Sequence, residues 1–147
     1  VAQCLVHPGP FDRANHRLLS AQGRKMKTIL VVDDAQTMLK SLRTTLELSG
    51  FQVETAIDGD VALTMIQSGL KPHLILTDIN MPHMSGIDFI RHARQILRFT
   101  PILVVTTESQ QARRDEARRL GASGWLLKPV GSAELLKVVQ QFTAQAA

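Results

Sequence analysis

The sequence has one cysteine, Cys4, in 147 residues. No intramolecular disulfide is therefore possible, and the cytoplasm is the expected compartment. Long apolar runs are missing too: none approaches the roughly 20 residues that a membrane-spanning helix requires. The N-terminal segment lacks a signal peptide's apolar core, because Pro8, Gly9 and Pro10 interrupt it and Arg, Asp and His are scattered through it. A strong excess of one charge is also absent where it would matter. The net charge is +4, but residues 1–25 carry +3 of it (Arg13, Arg17, Arg24 and Lys25 against Asp12). The remaining 122 residues hold 13 basic and 12 acidic side chains, so no nucleic-acid role is expected of them.

What remains is an ordinary globular composition, 44% hydrophobic and 20% charged. A chain of this length is expected to form one domain that buries about two-thirds of its unfolded surface. Residues 1–25 stand apart, with HPGP, no clear hydrophobic period and a terminal GRKM. They are expected to be a leader, either disordered or a non-native extension, followed by the domain at 26–147. Only 19 residues follow Lys128, so no separate effector domain is expected there.

From Lys27 onward short apolar runs alternate with longer amphipathic ones. KTILVV (27–32), FQVETA (51–56), HLILT (73–77), PILVV (101–105) and SGWLL (123–127) read as strands. Three are nearly continuous Val, Ile and Leu, as in a parallel sheet covered on both faces. Between and after them lie helical stripes: Leu39, Leu42 and Leu46, closed by Gly50; Ile87, Ile90 and Leu97; and Leu135, Val139 and Phe142 behind Ser132 as N-cap. Five β–α alternations imply an α/β sandwich with right-handed crossovers.

Polar residues gather where the strands end. KTILVV runs into Asp33-Asp34, HLILT into Asp78, PILVV into Thr106-Thr107 and SGWLL into Lys128-Pro129. In an open parallel sheet these ends share one edge, and ligands bind there where the strand order reverses. Three carboxylates, a hydroxyl and an ammonium then meet in one pocket. Two like charges about 4 Å apart repel by roughly 4 kcal/mol at an effective dielectric near 20, so three carboxylates need a cation or a proton. Oxygen donors without His or Cys favour a hard ion, and Mg²⁺ is the usual one where phosphate is handled. A carboxylate beside such an ion, facing a lysine and a hydroxyl, suits phosphoryl acceptance, with Asp78 as nucleophile. Taken singly, each element has an ordinary reading: a helix N-terminus for the acidic pair, a turn for Asp78, a cap for Thr106, a loop for Lys-Pro. Their coincidence at four strand ends carries the inference.

Through ILVVDD, ETAIDGDVAL, LILTDINMP with Gly86, PILVVTTES and GASGWLLKP, the chain resembles response-regulator receiver domains from residue 27 to about 143. Within them it is most similar to the stand-alone chemotaxis regulators of the CheY type. The resemblance implies a flavodoxin-like, doubly wound (βα)5 fold whose five parallel strands lie in the order 2-1-3-4-5. It implies a two-component signalling protein rather than an enzyme, phosphorylated on Asp78 by a histidine kinase with Mg²⁺. Asp34 would bind the metal directly and Asp33 mostly through water, with Asp78 and the Asn80 backbone carbonyl completing the protein's ligands. Lys128, joined to Pro129 by a cis bond, would contact the phosphoryl oxygens. Thr106 would swing onto them and Trp125 would be the switch aromatic. Asn80 and Glu108 would modulate dephosphorylation.

Three positions depart from the common pattern. Trp125 replaces Tyr or Phe, Ser85 replaces Asp, and Thr107 is bulkier than the usual Ala or Gly beside the switch threonine. The expected output surface is the fourth helix, fifth strand and fifth helix, and by family analogy the partner is the flagellar motor switch. QARRDEARRL, with Arg113, Arg114, Arg118 and Arg119, is read first as a solvated face with an Asp115–Arg119 pair. His7, His16, His73, His83 and His92 read as surface residues, and Met38, Met65, Met81 and Met84 as packing. The alternatives are a phosphorelay shuttle or phosphate sink and, more remotely, an aspartyl-nucleophile phosphohydrolase, for which DDAQT lacks the DxD spacing. A flavin or dinucleotide site is disfavoured because Asp33-Asp34 would repel a phosphate.

Overall fold

The computed structural model describes residues 26–145, so the expected leader, with Cys4, His7 and His16, lies outside the described residues. The elements alternate strictly: β1 (Thr28–Val32), α1 (Gln36–Leu48), β2 (Gln52–Ala56), α2 (Gly59–Gln67), β3 (Leu74–Thr77), α3 (Gly86–Ile96), β4 (Ile102–Thr106), α4 (Gln111–Leu120), β5 (Gly124–Leu127) and α5 (Ser132–Gln145). All strands pair in parallel, in the order β2-β1-β3-β4-β5. The expected doubly wound (βα)5 sheet is thus the observed one.

Hydrophobic pattern explains which strands are central. β3 and β4 are buried along their whole length and β1 from Ile29 onward, whereas edge strand β5 has no fully buried residue. The sheet separates two cores. Leu30, Val32, Ile75, Ile102 and Val104 face α2, α3 and α4, with Phe89, Ile90 and Ala117 fully buried. Ile29, Val31, Leu74, Leu76, Leu103 and Val105 face α1 and α5 through Leu39, Leu42, Leu46, Leu135 and Val139. Burying each such side chain contributes about 1.5–3 kcal/mol. The methionines at 38, 65, 81 and 84 pack against these cores, as expected.

Helix ends follow local chemistry. α1 stops where Gly50 takes φ 94°, and Asp58 caps α2 by accepting from the Val61 N–H at 2.9 Å. Three expectations need correction. Ser132 is the first helical residue of α5 and not its cap, since the carbonyl of Gly131 already accepts from Leu135. Asp115 does not pair with Arg119; its carboxylate accepts from the Gln111 amide, one turn earlier, at 2.9 Å. His73 is less open than a surface residue, being half-buried: its Nδ1 accepts from the Thr28 N–H at 3.0 Å while its own N–H donates to Thr28, which clasps the start of β1 to the entry of β3. No helix among the described residues is long and apolar enough to cross a membrane.

Candidate functional site

Strand register sets the site. Ala56, Val32, Thr77, Val104 and Trp125 lie in one row across the sheet. Beyond that row Asp33 and Asp78 come one residue later, Thr106 two and Lys128 three, so all four project from the same C-terminal edge. The chain leaves β1 toward β2 on one side and β3 toward β4 on the other, and the crevice at this reversal lies between Asp33 and Asp78.

The backbone fixes both acids before any side chain acts. The Asp33 N–H donates to Ala56 at 3.1 Å and the Asp78 N–H to Val32 at 3.0 Å. Asp33 Oδ1 accepts from the Ala35 N–H at 2.9 Å, and Asp78 Oδ1 accepts from Ile79 at 2.6 Å and Asn80 at 3.4 Å. The remaining oxygens face Lys128, whose Nζ lies 2.7 Å from Asp33 Oδ2 and 2.9 Å from Asp78 Oδ2. Asp33, Asp78 and Lys128 are all largely buried, and charges so placed persist only when paired. Burial acts to lower the Lys128 pKa, but hydrogen bonds and charges from Asp33 and Asp78 outweigh it and hold the ammonium above its ordinary value.

Asp34 is exposed, yet one oxygen each from Asp33, Asp34 and Asp78 lie within 4.8 Å of one another. The acidic pair does stand just before the N-terminus of α1, as the ordinary reading has it, but side-chain capping is not its role. The cap position is Ala35, without a side-chain cap, and α1 has no acid in its first turn. Three hard oxygen donors in convergence, two of them tethered, fit a small divalent cation such as Mg²⁺.

The switch candidates form a second group. Thr106 is fully buried, its Oγ1 accepts from the Glu108 N–H at 3.2 Å, and its carbonyl accepts from the Lys128 N–H at 2.8 Å. Trp125 is half-buried, donates from Nε1 to the Glu108 carbonyl at 3.2 Å, and has the Arg114 guanidinium 5.9 Å from its ring centroid. Glu108 thus touches both Thr106 and Trp125. Asn80 and Thr107 are exposed. The Lys128–Pro129 bond is cis. Ser85 has a defined place: its hydroxyl accepts from the Asp88 N–H and caps α3.

Gly86 explains the shape of the loop. A Cβ there would overlap the Asp78 carbonyl oxygen and come within 2.7 Å of Ile79 Cα, while its N–H donates to the Ile79 carbonyl at 2.7 Å. Two residues escaped the sequence reading of the site, Asp58 and His83, joined at 3.2 Å between the β2–α2 and β3–α3 loops. Asp58 before Gly59 was legible as a helix cap; its partner, 25 residues away, left no local pattern.

Known proteins match this chain in sequence and fold. The family model described as the response regulator receiver domain matches residues 29–140. The chemotaxis protein CheY of Pseudomonas aeruginosa is 40% identical over 112 residues, covering 74% of this chain and 89% of that protein. The alkaline phosphatase synthesis transcriptional regulatory protein PhoP of Bacillus subtilis is 36% identical over 109 residues, but the chain spans only 45% of it. Among solved structures, Vibrio cholerae chemotaxis protein CheY4 superposes with a TM-score of 0.75 at 39% identity, covering 80% of this chain and 98% of that one. A CheY-like receiver domain protein from Methanospirillum hungatei gives 0.80 at 27%, covering 83% and 97%.

Proposed function

The chain belongs to the response regulator receiver domain family, and from that premise we propose that it is a two-component phosphoacceptor with Asp78 as the phosphorylated residue. Proteins of this family are signalling proteins rather than classical enzymes. The observation that carries the proposal is the Lys128 ammonium bridging Asp33 and Asp78, residues 95 and 50 positions earlier in the chain.

In the reaction an Asp78 carboxylate oxygen attacks the phosphorus of a histidine kinase's phosphohistidine. The new O–P bond forms as the P–N bond breaks, and the histidine leaves with that electron pair. Asp78 Oδ1 is held by the Ile79 N–H, which leaves Oδ2, on the Lys128 side, as the attacking atom. Lys128 exchanges its hold on the carboxylate for one on the phosphoryl oxygens. Asp33, Asp34, Asp78 and the Asn80 carbonyl would hold Mg²⁺, which when bound neutralises charge on the transferring group. The Thr106 hydroxyl turns from accepting the Glu108 N–H to donating to the phosphoryl group. That frees the segment whose carbonyl anchors Trp125. Asn80 and Glu108 would set how readily water reaches the acyl phosphate.

The added charge, about −2, shifts a population of conformers and not a covalent fold. The output face is α4–β5–α5, and the cytoplasmic partner is the flagellar motor switch by analogy with the chemotaxis relatives. The test is acetyl phosphate or beryllofluoride with and without Mg²⁺, followed by intact mass and Trp125 fluorescence. A metal-dependent adduct absent from Asp78→Asn is expected. An adduct that persists in Asp78→Asn refutes the acceptor assignment.

A further inference from the structure

His83 is the only non-glycine residue among those described with a positive φ, 67°. The Met84 N–H donates to the Pro82 carbonyl at 2.7 Å, which closes a three-residue turn about it. A γ-turn with positive φ is rare and strained, and such backbone persists only where its surroundings hold it. The holding contact is visible. His83 Nδ1 lies 3.2 Å from Asp58 Oδ2, while Asp58 Oδ1 accepts from the Val61 N–H at the start of α2. The Asp58 side chain is only 8% exposed, although the His83 side chain is 70% exposed. An open imidazole has therefore been drawn onto a buried carboxylate.

This contact ties together both halves of the acid cluster. On one side, two residues before Asp58, the Ala56 carbonyl accepts from the Asp33 N–H. On the other, His83 stands in the loop between Asp78 and Gly86, three residues after Asn80. That loop is fixed at its base by the Gly86–Ile79 hydrogen bond and against the core by Met81 and Met84, with Met84 packed on Gly59 of α2. Apolar packing has no direction, so the His83–Asp58 bond is what orients the loop's crest. Among the described residues no donor reaches the Asn80 carbonyl, which leaves it available as a ligand.

We propose that His83 is a positioning residue for the cation: pinned to Asp58, it holds the turn that aims the Asn80 carbonyl at the Asp33–Asp34–Asp78 carboxylates. The inference rests on the reading of those residues as a Mg²⁺ site, and it concerns affinity for the ion alone. Partners that orient metal ligands at one remove commonly account for tenfold or more in affinity.

Calorimetric titration of the full chain with Mg²⁺ tests it, with no phosphoryl donor present. His83→Ala is expected to weaken binding about tenfold. His83→Asn should remain within about twofold, because Asn tolerates left-handed backbone and its amide nitrogen takes the place of Nδ1. At saturating Mg²⁺ the rate of labelling by acetyl phosphate should be the same in all three proteins, a separation that general loosening of the fold would not give. Should His83→Ala fail to fold, His83→Gly, which relieves the turn's strain but cuts the tether, carries the same expectation. Unchanged affinity in the tether-free variant, or equal weakening in His83→Asn, overturns the positioning role and leaves the metal site intact. Wild-type protein that binds no Mg²⁺, or binds it equally after Asp34→Asn, overturns the site itself and His83's role with it.

Discussion

The backbone of Gly86 lies against the carbonyl of Asp78 so closely that a side chain on residue 86 would occupy the same space. The N-terminus of α3 is in this way built onto the residue proposed as phosphoryl acceptor. Gly86→Ala must push α3 or the Asp78 peptide aside. Overpacking of this kind costs about 1–3 kcal/mol, and because backbone is the obstacle the loss belongs at the upper end. Urea unfolding should show that loss, and Mg²⁺ affinity should fall with it. A variant of unchanged stability and affinity would contradict the close approach.

Lys128 is the internal counter-charge for Asp33 and Asp78. Lys128→Met leaves two buried carboxylates facing one another, a change that costs about 3 kcal/mol when one partner of a buried pair is removed. A divalent cation supplies the missing charge. Mg²⁺ should therefore raise the stability of Lys128→Met more than that of the wild type, as measured by denaturant midpoints with and without the ion. Equal Mg²⁺ increments in the two proteins would argue against a shared site.

Asp58 gives the acid limb a specific contributor. The Val61 N–H, aided by His83, holds its carboxyl below the ordinary aspartate value of 3.8 even though burial acts to raise it. A depressed pKa means that the folded state favours the charged form. Its contribution is complete above the ordinary value and fades as pH falls through the lower, folded-state value. Asp58→Asn should thus lose stability at neutral pH but show a shallower decline on acidification. Thermal midpoints of both proteins from about pH 6 downward would display the converging curves.

Arg114 lies over Trp125 while the ring nitrogen is tied to the Glu108 carbonyl. A partly exposed cation–π contact contributes about 0.5–1 kcal/mol. Arg114→Ala should cost that much and loosen the indole, visible as faster local depolarisation of Trp125 emission. Unaltered depolarisation would mean that the Glu108 hydrogen bond alone restrains the ring.

The sheet was legible in the sequence because its information is local and periodic. Ile75 and Val104 stand inside unbroken apolar runs, and each strand assigned from such a run is present within a residue or so of its expected ends. The clustering of Asp33, Asp34, Asp78 and Lys128 followed from topology, since parallel strands bring their C-terminal ends to one edge. What the sequence hid depends on a side chain's choice among partners. Asp115 had Arg119 available at i+4 and took Gln111 at i−4. His73 and His83 lie outside the helices and strands yet close long-range contacts, to Thr28 and Asp58, that no periodicity encodes. Gly86 entered the sequence reading only as part of a motif; its constraint is steric and appears once Asp78 is placed beside it.

Apart from Trp125, inside β5, the proposed site residues lie at the C-terminal ends of the strands or in the loops that follow them. The opposite edge, where helices return to strands through Ser49–Phe51, Ser68–His73, Leu97–Pro101 and Gly121–Ser123, contributes none. The proposed chemistry is therefore confined to one margin of the sheet. New termini, a circular permutation or a fused reporter placed in the exposed turn at Arg98–Phe99 interrupt no strand and touch no site residue. The connection after Asp78 offers no such freedom, since α3 begins against the acceptor itself.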